Sequence, residues 1–126
     1  MLIGSITHQF VPVETRVPLK FGTETLTSVT CSRIRLEARG SSGSKVTGWG
    51  ETPLSVQWVW PSALSYAERH EALMAFSESL VAAWTDWERE GDALELGHDL
   101  VFEDLPKRLD AYNAIERKGR EPMPWL

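Results

Sequence analysis

The sequence predicts an α+β fold, a three-stranded antiparallel meander followed by a helical bundle. Two observations predict the sheet. From Leu26 to Ala38, β-branched and apolar residues alternate with polar ones: Ile34, Leu36 and Ala38 share one face, and Arg33, Arg35 and Glu37 share the other. That period of two belongs to a half-buried strand. The turn Gly40-Ser41-Ser42-Gly43-Ser44 then reverses the chain, and Lys45 to Glu51 returns as a partner strand. A third observation predicts the helices. Leu73, Phe76, Leu80, Trp84 and Trp87 recur at three- and four-residue intervals, the spacing of one helical stripe.

Each element follows in order. Ile3 to Val11 is expected as the opening strand, stopped by Pro12, which cannot donate to a ladder. The polar stretch from Val13 to Thr25, broken by Pro18 and Gly22, is expected as a loop. Ser65-Tyr66-Ala67-Glu68 matches a capping box, in which the serine hydroxyl and the glutamate satisfy free amides of the first turn. The helix it opens is expected to run to about Glu90, with Gly91 as its stop. A second helix should start near Pro106, since proline is tolerated in a first turn, and end at Gly119. Its stripe is Leu105, Leu109, Tyr112 and Ile115.

Composition narrows the function classes. The chain has 126 residues, 42% hydrophobic and 25% charged, which suits one globular domain with its own core. Thirteen Lys and Arg against 18 Asp and Glu give a net charge of -5, with no basic patch of the kind nucleic acid requires. No apolar segment approaches the roughly 20 residues of a membrane helix. The N-terminus lacks the basic and apolar regions of a signal peptide, and the single Cys31 suits a reducing compartment, so a cytoplasmic location is expected.

Several stretches, in the expected order, resemble one known family. Pro18-Leu19-Lys20-Phe21-Gly22, then Gly48-Trp49-Gly50-Glu51-Thr52, the helix from Tyr66 to Glu90, and Asn113 to Leu126 with its Gly119-Arg120 and Met123-Pro124-Trp125-Leu126, together span nearly the whole chain. They resemble the N-terminal capping domain of the enolase superfamily, in its mandelate racemase and muconate-lactonising branch. The resemblance implies one domain over 1–126, with a β-meander over 1–51 and a helical part over 62–126, incomplete at its C-terminus.

In that family the chemistry is Mg²⁺-dependent proton abstraction next to a carboxylate, leading to racemisation, dehydration or cycloisomerisation, the work of isomerases and lyases. Its base and metal ligands lie on a barrel of roughly 200 residues or more. No position here matches those motifs, so no catalytic or metal residue carries over, and the isolated chain is not expected to be an enzyme. The implied partners are a barrel domain, in cis or in trans, and, in the full enzyme, a small carboxylate substrate. A stand-alone interaction module and a non-catalytic subunit docking on a separate barrel are the alternatives.

The resemblance also implies two specificity loops. The segment from Val13 to Thr25 would be a lid over the barrel mouth, with Lys20, Phe21, Gly22 and Glu24 as its candidate contacts. Thr52 to Pro61, carrying Trp58 and Trp60, would be the second. Phe21, Trp58 and Trp60 would form an apolar wall; Lys20 or Glu24 would supply polar contacts. Against this stands packing within the domain, the commoner fate of aromatic side chains.

Other candidates reduce to structural roles. Glu51 has no neighbouring partner for acid–base work and is expected to hold an arginine or backbone. His8, His70 and His98 lack metal-ligand spacing, although His98-Asp99 suits a polar cap. Cys31 is expected to be a buried, inert thiol. Six tryptophans exceed the needs of a core this size, so an exposed apolar patch and self-association are expected.

Overall fold

The computed structural model describes residues 1–22 and 24–125, with only the backbone of Phe21. Three strands form one antiparallel sheet in the order β1-β2-β3: β1 is Leu2–Phe21, β2 is Glu24–Arg39 and β3 is Lys45–Pro53. Helices follow: a short α1 at Val56–Val59, the long α2 at Tyr66–Thr85, α3 at Ala93–His98, a π-helical stretch at Asp99–Asp104, and α4 at Leu105–Ile115. The α+β order is the expected one.

Two expectations about the strands fail. Pro12 does not end β1, and the segment from Val13 to Thr25 is not a loop: the β1–β2 ladder continues through Pro12↔Thr30 to Phe21↔Glu24. The reason is the sheet order. β1 lies at an edge, where a missing N–H costs no ladder bond if it faces outward. Pro18 falls instead in a wide irregularity, between the pairs Glu14↔Ser28 and Leu19↔Leu26, where Thr15 Oγ1 donates to Thr27 O at 3.1 Å. Gly22, with φ of 59°, makes the tight hairpin tip that a side chain would strain.

The second hairpin is as expected. Gly40 donates its N–H to Ser44 O at 2.8 Å, and Gly43, at φ 78°, takes the left-handed position of the turn. The pairs Arg33↔Glu51, Ile34↔Gly50 and Arg35↔Trp49 keep the charged side chains on one face, with Trp49 among them, and Ile34 on the other.

Ser65 caps α2 by accepting from the Glu68 amide. The helix ends at Thr85 rather than Glu90, so Trp87 falls beyond it, with its ring 5.3 Å from Arg89 Cζ. Gly91 is not the helix stop. It exchanges backbone hydrogen bonds with Met1, beside a Leu2↔Glu90 bridge, so these residues leave the helix to extend the strand edge. Asp92 and Glu95 form a complete capping box for α3 that the sequence reading passed over.

One core gathers the helices under the sheet: Leu54, Val56, Trp60, Leu73, Phe76, Leu109 and Met123 are all buried, with Phe10 of β1 packed against them. Phe76 and Tyr112 fix α2 against α4, their ring centroids 5.1 Å apart, while the Tyr112 hydroxyl donates to Ala72 O. Ile115, expected on the α4 stripe, is exposed at the last turn. No helix among the described residues is long and apolar enough to cross a membrane.

Candidate functional site

Two places concern the residues singled out from the sequence: the β1–β2 hairpin tip, and an apolar groove at the end of β3. At the tip, Lys20 pairs across the ladder with Thr25 and is exposed, and Gly22 is exposed beside it. The side chain of Phe21 lies outside the described residues. Glu24 is held from below by Arg69 of α2, Nη2 to Oε1 at 3.4 Å. Arg69 itself is buried, and its Nη1 donates to Trp60 O at 2.6 Å. The buried guanidinium therefore ties the hairpin tip to the body of the domain.

The groove has a volume of about 270 Å³ and is lined by Thr52, Leu54, Leu73, Phe76, Leu109 and Trp125 among others. Thr52 sits on its rim at the end of β3. The walls are mostly aliphatic and aromatic, so the groove offers dispersion and desolvation, and no charged side chain lines it among the described residues. The expected second loop is partly ordered: Thr52 and Pro53 complete β3, Leu54 donates its N–H to Thr30 O, and Val56–Val59 form a helical turn.

The two tryptophans of that segment part ways. Trp58 is 73% exposed on the turn, whereas Trp60 is 2% exposed and belongs to the core. Trp60 therefore has almost no surface of its own open to solvent. Its Nε1 donates to Glu121 Oε1 at 2.9 Å, and Arg117 stacks over its ring with Cζ 5.1 Å from the centroid. Arg117 reaches on to Glu68 with Nη1 and to Glu121 O with Nε. Ser62 adds a bond to Glu121, and Asn113 makes two to the backbone of Met123.

This clasp fastens the C-terminal segment across α2 and α4. Hydrogen bonds from Ser62 and then Trp60 hold the Glu121 carboxyl below the usual glutamate range. The sequence reading missed it because Trp60 and Glu121 are far apart in the chain. The odd run Glu121-Pro122-Met123 was the one available signal.

The remaining candidates take structural places. Glu51 bonds Arg33 across the strands. Cys31 is buried and unpaired, and burial pushes its thiol up. His8 shares a hydrogen bond with Ser32 Oγ, His70 stacks on Tyr66, and His98 packs beside Phe102. Asp99 carries an ion pair to Arg89 at 2.6 Å, shorter than its approach to His98. Among the described residues no three His, Cys, Asp or Glu side chains converge as a metal site.

No family model matches this sequence, and no curated protein does. Among solved structures, the chain is similar to a substrate-liganded L-Ala-D/L-Glu epimerase from Bacillus subtilis, with 19% identity and a TM-score of 0.52. The match covers 82% of this chain and 25% of the epimerase, so the chain spans about a quarter of that protein's length. At that identity the likeness establishes the shared fold.

Proposed function

We propose that this chain is an N-terminal capping domain of an enolase-superfamily enzyme in the mandelate racemase and muconate-lactonising branch. It would close a barrel active site and shape substrate choice, leaving chemistry to the barrel. The observation that carries this reading is the fold likeness: most of this chain matches a quarter of an epimerase that belongs to the enolase superfamily. The apolar groove at the end of β3 supports the reading, because it offers surface for a larger body to cover.

On this reading Lys20 and Gly22 at the hairpin tip, with Thr52 and Trp58 at the far end of β3, are the groups that face the barrel mouth or its substrate. Glu24 acts through Arg69 to set the pose of the tip, and Trp60 supports the second segment from inside. The substrate class is a small carboxylate, and Mg²⁺ belongs to the barrel of the parent enzyme. The chain's place is in the cytoplasm.

The reading predicts no turnover by the purified chain on a panel of hydroxy acids, sugar acids and dipeptides with Mg²⁺ present. Clear racemisation, epimerisation or dehydration, abolished by a substitution within these residues, would sink it. A second measurement concerns the groove. An apolar dye should bind the isolated chain, and Leu73→Gln should weaken that binding; no dye binding would remove the open groove from the account.

A further inference from the structure

We infer that β3 is a self-complementary edge that pairs antiparallel with β3 of a second copy of this chain, about a two-fold axis through Gly48. β3 is the outer strand of the sheet, and all nine of its residues are exposed. One side of its backbone is taken up by β2, so every second residue turns an N–H and a C=O outward with no strand to meet them.

The order of residues selects the occupant. In Lys45-Val46-Thr47-Gly48-Trp49-Gly50-Glu51, the lysine and the glutamate stand three residues to either side of Gly48. Reversing the strand about Gly48 therefore sets Lys45 opposite Glu51 of the second copy, at both ends of the contact. A two-fold interface repeats each pair, so two opposite-charge pairs form where a guarded edge would place like charges. Glu51 bonds Arg33 through Oε2 and remains exposed, so its carboxylate is within reach of the incoming ammonium.

The side chains between the charges agree with this register. Thr47 lies opposite Trp49 on the polar face, and the two Trp49 rings become diagonal neighbours, roughly 7–8 Å apart along the backbone positions. Trp49 is 67% exposed in the single chain, and the pairing would cover it. On the other face Val46 meets Gly50. No atom lies within 4 Å of where a Cβ would stand at Gly48 or Gly50, so Val46 has room. The pairing uses the backbone edge and does not occupy the groove beside Leu54.

Sedimentation equilibrium of the whole 126-residue chain tests this. The chain should show a monomer–dimer equilibrium that weakens with added salt, because the end charges are exposed. Lys45→Glu and Glu51→Lys should each weaken dimerisation by about tenfold or more, since both end pairs turn repulsive. An equimolar mixture of the two variants should regain the original affinity, because each crossed pair is again of opposite charge. Lys45→Glu leaves the Arg33–Glu51 bond intact, so its result stands even if Glu51→Lys folds poorly. A chain that stays monomeric at every concentration, or a dimer that Lys45→Glu leaves unchanged, would overturn the inference. So would a mixture of two folded variants that associates no better than either alone.

Discussion

Two regions of the molecule treat tryptophan in opposite ways. Around the C-terminal clasp, Trp60 is enclosed by Arg117, Glu121 and Arg69, and its indole N–H and backbone carbonyl both have partners. Along β3, Trp49 stands mostly in solvent on a strand whose outer edge is open. One region is completed by its own chain; the other offers surface. The contrast locates stability and recognition separately: energy is concentrated where side chains interlock, and partners are expected where backbone and apolar area are left uncovered.

The largest expected effect breaks that contrast at its closed end. Trp60→Ala removes a fully buried ring, together with the N–H that bonds Glu121 and the face under Arg117, so it should cost about 3–5 kcal/mol in denaturant unfolding. Trp49→Ala should change monomer stability by less than about 0.5 kcal/mol under the same conditions. Equal losses would show that the two regions are not built differently.

Glycines sharpen the comparison at a smaller scale. Gly119, at φ 75°, sits in the left-handed region just after α4, and Gly119→Ala should cost about 1 kcal/mol. Gly48 has ordinary strand geometry and open space around it. Gly48→Ala should leave the monomer within about 0.5 kcal/mol of its starting stability, or slightly above it. Thermal melts of both variants, at a concentration where the chain is monomeric, compare the positions directly.

The smallest effect is a pH dependence. Glu121 has a carboxyl held below its ordinary value of 4.5 by Ser62 and Trp60, so the unfolded chain takes up this proton first as pH falls. Its contribution is therefore full above 4.5 and is lost as pH drops through the lower folded value. Glu121→Gln should flatten the acid limb of the stability curve below that point while leaving the neutral limb's slope unchanged. An acid limb identical to the parent's would show that the clasp does not titrate.

Much of the fold was legible because its signals are local. The alternation in β2, the glycine turn at residues 40–44, the Ser65 hydroxyl that caps α2 and the proline at the start of α4 each act within a few residues, whereas the Glu68 carboxylate, expected to complete a capping box, bonds Arg117 instead. What escaped depends on distance. Whether Pro12 ends a strand is decided by β1 being an edge, and whether Gly91 ends a helix is decided by Met1.

The candidate site was legible only in outline. Lys20, Gly22, Thr52 and Trp58 do fall at exposed or groove-lining positions. Glu24 and Trp60 are both tied to the body of the domain, because Arg69 reaches them from the first turn of α2. The capping box at Asp92 and Glu95 was readable from spacing alone and was missed in favour of the glycine that precedes it.

Hydrogen–deuterium exchange on the dilute, monomeric chain tests the central claim most directly, since it reads both regions in one experiment. The clasp predicts slow exchange for the Met123 amide, bound to Asn113 Oδ1, and for the buried turn of α2 from Ala72 to Phe76. The open edge predicts fast exchange for every second amide from Lys45 to Glu51, the ones that face away from β2. Uniformly slow exchange along β3 in the monomer, or a clasp that exchanges as fast as β3, would contradict the division of the molecule into a closed side and an open one.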